Sequence, residues 1–237
     1  MAKWKLLTKR VLRSVGFPMH RLPLVRPPML DYYELDSPLK DIYATISGRT
    51  VVDRERVMML RQFARAALLL PGDVAEVGVY KGGTARLLAE TLRGSGKSLL
   101  LFDTFSGMPE TAAGKDVHQA GDFGDTSLEQ VKRFLNGCER VEFFPGLFPE
   151  TAQGLSDRTF CLVHADVDIY PSTRDCCRFF YPRLVAGGIL VFDDYGYLSC
   201  PGVKSAADEF FADKPETPIF LPTGQALVVK HGTSRAG

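Results

Sequence analysis

Short apolar runs alternate with amphipathic stretches from Asp53 to Val229, and this alternation constrains the fold more than any other feature. Val57, Leu60, Ala64, Ala67 and Leu68 recur at three- and four-residue spacing, which predicts a helix from Asp53 that Pro71-Gly72 ends. Beyond it, Val74–Val79, Ser98–Phe102, Val141–Phe144, Phe160–Val163, Gly188–Phe192 and Ala226–Val229 read as strands. Thr84–Leu92, Leu128–Phe134, Thr173–Phe180 and Val203–Phe210 read as the helices between them. Strands alternating with helices imply a doubly wound α/β fold, a parallel sheet covered by helices on both faces. Ligands of such sheets bind beyond the carboxyl ends of the strands. The residues that follow each strand therefore carry the chemistry.

Residues 1–50 are expected to form an extension and residues 51–237 the sheet domain. The first 30 residues hold Lys3, Lys5, Lys9, Arg10, Arg13, Arg21 and Arg26 without one acid. Trp4, Leu6, Leu7, Val11 and Leu12 give a short helix one apolar face, and Pro18, Pro23, Pro27 and Pro28 then break regular structure. Such a helix suits weak contact of residues 1–15 with an anionic membrane surface. Its shortness favours the other reading, packing on the domain or on a second subunit of a homo-oligomer.

The formal net charge of +1 gives no electrostatic case for nucleic acid as a partner. The five cysteines are odd in number and never spaced C-x-x-C, which argues against a disulfide framework and against a zinc site. Free thiols fit a reducing compartment. No apolar run approaches the ~20 residues a bilayer requires, and no signal-peptide pattern opens the chain. A cytoplasmic location is expected.

Three strand ends stand out. The first runs Glu76-Val77-Gly78-Val79-Tyr80-Lys81-Gly82-Gly83-Thr84. Its glycines allow a sharp turn and close backbone approach to a ligand, as they would in a plain strand-to-helix turn. It matches neither G-x-G-x-x-G nor the G-x-x-x-x-G-K-[ST] phosphate loop. An acidic opening suits a cationic ligand end such as an ammonium group. The second strand ends in Phe102-Asp103, and an acid roughly 20 positions beyond a glycine loop is placed to accept from ribose hydroxyls. The long segment from Thr104 to Thr126 reads as a mobile lid.

The third feature is carboxylate crowding. Asp166-Val167-Asp168 follows one strand and Asp193-Asp194 the next. Like charges so close need a cation or a proton. All-oxygen ligands favour a hard ion, Mg²⁺ or else Mn²⁺ or Ca²⁺. Capping of the helix near Thr173 by Asp168 or Ser172 accounts for one residue but not for two aspartate pairs.

Four segments, Glu76–Thr84, Phe102–Pro109, Asp166–Thr173 and Phe192–Tyr195, together resemble the macrocin O-methyltransferase family over roughly residues 50–230. The resemblance implies a Rossmann-like class I methyltransferase sheet, S-adenosylmethionine as methyl donor and Mg²⁺-assisted methylation of a sugar hydroxyl on a small-molecule or glycan acceptor. By the same resemblance Asp166, Asp193 and Asp194 ligate the metal and Asp168 is the general base. Glu76, Gly78, Thr84 and Asp103 then hold the donor, with Ser127, Gly146 and Leu147 as further candidates. A catechol-like acceptor, walled by Phe123, Tyr195 and Tyr197, is the first rival. A donor-binding protein without catalysis is the second.

Overall fold

A computed structural model describes residues 36–232. The basic extension therefore lies outside the described residues. Helix α1 spans Ser37–Ile46 and α2 spans Arg54–Ala67. Asp53 caps α2, accepting from the Arg56 amide at 2.9 Å. The α/β core follows as β1 (Asp73–Val77), α3 (Gly83–Leu92), β2 (Leu99–Asp103), α4 (Leu128–Phe134), β3 (Val141–Pro145), β4 (Phe160–Ala165), α5 (Tyr170–Phe180) and β5 (Leu184–Phe192). Then come α6 (Pro201–Phe211), β6 (Ile219–Phe220) and β7 (Ala226–Val229). None of the described helices is long and apolar enough to cross a membrane.

The seven strands order as β3-β2-β1-β4-β5-β7-β6. The first five pair parallel, as expected for strands buried on both faces. β7 pairs antiparallel with β5 and with β6. Strand β6 is two residues long, too short to leave a period, and β7 follows it without an intervening helix, so the alternation rule announced neither β6 nor the reversal of β7. The order reverses between β1 and β4, and right-handed crossovers send the helices to opposite faces on either side of that point.

Register does the positioning. Glu76 of β1 sits beside His164 of β4, and His164 beside Val191 of β5. All three strands thus end level, and Gly78, Asp166 and Asp193 emerge side by side. Asp166 donates its amide to Val77 O at 2.9 Å, and Asp193 donates to Ala165 O at 3.0 Å. The floor beneath is aromatic. Phe102 meets Phe148 at a centroid distance of 5.3 Å, and Phe180 meets Phe160 at 5.0 Å.

Gly78 is the tightest point of the turn after β1. It has φ +86°, and a Cβ there would lie 1.7 Å from the Asp166 carbonyl oxygen. Gly78→Ala is expected to lower the unfolding free energy by about 2–4 kcal/mol, through overpacking against rigid backbone plus left-handed strain. Urea titration checks this, and a loss within error of zero would refute the packing argument.

Candidate active site

A cavity of about 330 Å³ opens over the ends of β1, β2 and β4. That volume lies at the lower end for small-molecule sites. Of the expected donor-binding residues, Gly78, Thr84, Asp103, Gly146 and Leu147 line it. Asp103 braces the glycine turn: its Oδ2 accepts from the amides of Val79 (2.6 Å) and Tyr80 (2.8 Å), and its Oδ1 from Phe105 (2.6 Å). A carboxylate has roughly four acceptor positions, so capacity remains for a ligand hydroxyl.

Two expected donor residues sit elsewhere. Glu76 is fully buried within β1 and does not reach the cavity wall. Its Oε1 meets His164 Nδ1 at 2.9 Å. Glu76 lies within the expected strand, and its side chain is engaged by His164 of the neighbouring strand rather than turned to the cavity. Ser127 caps α4, accepting from the Gln130 amide at 3.3 Å, and lies outside the cavity lining.

The aspartates divide in the same way. Oxygens of Asp166, Asp168 and Asp194 lie within 4.8 Å of one another, and all three residues line the cavity. Asp193 is turned into the sheet. Its Oδ1 accepts from Gln225 Nε2 at 2.7 Å and faces His164 Nε2 at 3.2 Å. Its Oδ2 is held by the Arg56 guanidinium. Helix capping does not explain the cluster. Tyr170 donates its amide to Asp116 Oδ1 at 2.8 Å, so a residue of the Thr104–Thr126 segment supplies the cap of α5.

Electrostatics follow from burial and neighbours. Burial, then the charges of Asp193, Asp194 and Asp168, push the Asp166 carboxyl well above the usual range. Burial, then Asp168 and Asp193, do the same to Asp194. Burial also raises Asp168, opposed by the Cys200 thiol and His118. Asp193 is the exception: burial would raise it, but His164, Arg56 and Gln225 together hold it below the usual value.

The segment expected to be a mobile lid is a pinned roof. Met108 donates its amide to Asp122 O at 2.7 Å, and Gly121 donates to Met108 O at 2.8 Å. Thr126 Oγ1 donates to Tyr80 O at 2.5 Å, and Phe123 packs edge-on against Tyr80 at 5.5 Å. Strain concentrates here. Among the described residues five non-glycines have positive φ, and Tyr80 (50°), Phe123 (58°) and Asp168 (59°) all line the cavity. Phe123 and Tyr197 are the expected aromatic walls, whereas Tyr195 is buried and donates to Asp208 at 2.5 Å.

Thr50, Val51, Arg56 and Cys200 also line the cavity and were not singled out from sequence. Arg56 had a readable signal. It is in step with Leu60, Ala64 and Ala67 on the buried stripe of α2, where an unpaired charge is costly. Thr50, Val51 and Cys200 lie in connections with no periodicity to read.

A sheet that reverses order between β1 and β4, a glycine turn after β1 and an acid closing β2 are the features of the class I methyltransferases. Residues 40–220 match the family model of the macrocin-O-methyltransferases (TylF), and the chain belongs to that family. It is 29% identical over 184 residues to the demethyldecarbamoylnovobiocin O-methyltransferase of Streptomyces niveus, covering 70% of this chain and 69% of that one. It is 30% identical over 169 residues to the 8-demethyl-8-(2,3-dimethoxy-alpha-L-rhamnosyl)-tetracenomycin-C 4'-O-methyltransferase of Streptomyces olivaceus, covering 65% of each. The solved O-methyltransferase NovP is similar in fold with a TM-score of 0.70 and 28% identity, over 78% of this chain and 83% of that one. The protein is an S-adenosylmethionine-dependent O-methyltransferase.

His164 makes the buried network pH-sensitive. Burial opposes its charge, but hydrogen bonds to Asp193 and Glu76 outweigh this and raise it from 6.5 to about 9. Below 6.5 the folded and unfolded imidazoles are both protonated and the stabilisation is complete; it is lost as pH rises through about 9. Unfolding free energy should therefore fall across that window, by at most about 1.4 kcal/mol per pH unit. Denaturation of the wild type and of His164→Gln at several pH values checks this; the variant should have the flatter profile, and parallel profiles would refute it.

Proposed function

We propose that the chain methylates a sugar hydroxyl on a small-molecule or glycan acceptor, assisted by Mg²⁺ held in the aspartate cluster. The observation that carries this is the convergence of Asp166, Asp168 and Asp194 on the wall of the cavity that Gly78 and Asp103 also line. The rhamnosyl group in the name of the Streptomyces olivaceus relative supports a sugar as acceptor. The donor set fits a hard dication: it is all carboxylate oxygen, and the buried Asp194 Oδ2 has no hydrogen-bond partner.

Asp166 and Asp194 present oxygens to the cavity, and Asp193 is the proposed third ligand, in exchange for part of its contact with Arg56. When bound there, Mg²⁺ would supply Lewis acidity that lowers the pKa of a sugar hydroxyl. S-adenosylmethionine would supply a methyl group on a sulfonium, with Asp103 at its ribose and Gly78, Thr84, Gly146 and Leu147 shaping its pocket. Asp168 takes the hydroxyl proton as the acceptor oxygen attacks the methyl carbon in line. Its left-handed backbone turns it toward His118 and Cys200 rather than into the sheet. The roof over Tyr80 excludes water and fixes the approach.

Calorimetry with S-adenosylhomocysteine, paired with turnover on deoxysugar glycosides, tests this. Chelation should abolish turnover and leave S-adenosylhomocysteine binding intact. Asp168→Asn should lower kcat by about 10²–10⁴ with metal affinity largely kept, as for loss of a general base. Asp193→Asn should weaken metal binding more than Asp168→Asn does. A chelator-insensitive rate would refute the metal role, and equal loss of metal affinity in both variants would move Asp168 into the ligand set.

A further inference from the structure

On the wall of the cavity three unlike donors converge. His118 Nε2, Asp168 Oδ1 and Cys200 Sγ lie within 4.8 Å of one another. The imidazole nitrogen is 3.9 Å from Asp168 Oδ1, and the thiol donates to that same oxygen at 3.3 Å. His118 comes from the roof, Asp168 from the turn after β4 and Cys200 from the residue before α6. The sequence argued against zinc because no two cysteines had ligand spacing. Donors drawn from three separate segments have no spacing to read.

The surroundings of His118 point the same way. Its other ring nitrogen, Nδ1, lies 3.0 Å from Asp122 Oδ2. A carboxylate there fixes the tautomer with the proton on Nδ1, so that Nε2 turns a lone pair toward Asp168 and Cys200. Carboxylate–imidazole–metal is the usual outer-shell arrangement of a ligating histidine, because it orients the ring and makes it more basic. On the sulfur side Ser199 Oγ is 3.4 Å from Cys200 Sγ. Nitrogen, one carboxylate oxygen and sulfur suit a borderline ion such as Zn²⁺, and suit Mg²⁺ poorly because it requires near-octahedral oxygen. Three protein ligands leave a fourth tetrahedral position open to the cavity.

We propose that His118, Asp168 and Cys200 form a second metal site that takes Zn²⁺-class ions and inhibits methyl transfer by occupying Asp168. On binding, a sulfur–metal bond replaces the sulfur–hydrogen bond of Cys200, and the proton leaves to solvent. The sulfur keeps its oxidation state, and no other reactant is needed. The site shares Asp168 with the aspartate cluster but adds nitrogen and sulfur donors, so it prefers a softer ion than the all-oxygen set does. Binding rests on the three donors alone, while the inhibition also rests on Asp168 being the base.

The test uses the full chain stripped of metal and titrated with Co²⁺ as a spectroscopic stand-in for Zn²⁺. Wild type should show a thiolate-to-cobalt charge-transfer band that Zn²⁺ displaces. Cys200→Ser should lose the band, and Asp194→Asn should keep it. Asp122→Asn, a change at a partly exposed outer-shell residue, should weaken binding about 10–100-fold. Absence of the band in wild type, or its survival in Cys200→Ser, overturns the site. Zn²⁺ added to the Mg²⁺-supported reaction should abolish turnover. Turnover that persists while the band forms normally overturns the inhibition and the assignment of Asp168 as base, and leaves the site standing.

Discussion

A buried row of alternating charge holds the active-site end of the sheet together: Glu76, His164, Asp193 and Arg56. Each lies on a different element, β1, β4, the end of β5 and α2. Glu76, His164 and Asp193 are 0% exposed, so none gains compensation from water. A buried charge is tolerable only when paired and hydrogen-bonded. Removing any member leaves its neighbours uncompensated, which is why the row acts as a unit. Arg56 extends it to the rim, where Asp53 Oδ2 accepts from Nε at 3.0 Å and the guanidinium covers Tyr197 at 4.8 Å.

This row also decides which aspartates face the ligand. Asp193 is drawn inward by three partners, so its neighbour Asp194 is left with an unpartnered oxygen near the cavity. Asp166 follows because β4 ends level with β1, with Gly78 lacking the Cβ that would push the two strand ends apart. The strained backbone at Tyr80, Phe123 and Asp168 is maintained by this same frame together with the pinned roof. Rigid sheet below and hydrogen-bonded roof above give the cavity defined walls before any ligand arrives.

The sheet was legible because strand burial and helix amphipathicity leave periodic traces in sequence. The aspartate cluster was legible because like charges at strand ends require an explanation. What escaped has equally physical reasons. Strand β6 is two residues long and shows no period. Glu76 opens the glycine motif from within the strand, and only the register with His164 reveals which partner its side chain takes. Ser127 looked like a pocket residue because capping and ligand binding draw on the same residue types. The segment after β2 looked mobile from length alone, but its Asp116 and Asp122 make contacts that no local pattern announces.

Charge accounting at the cavity bears on how the reaction proceeds. Glu76, Asp166, Asp168, Asp193 and Asp194 are five carboxylates, against which the buried structure sets two cations, Arg56 and His164. Burial first, and then this crowding of acids, raises Asp166 and Asp194, and the crowding favours any cationic guest, a sulfonium donor as much as a dication. Methyl transfer neutralises the sulfonium and releases a hydroxyl proton, so positive charge moves from sulfur to the proposed base. Asp168 suits that task, because burial raises its carboxyl while the Cys200 thiol and His118 restrain the rise. It therefore stays ionised more readily than Asp166, whose neighbours are mostly acids. The two carboxylates two residues apart are separated in role by what surrounds them rather than by what they are.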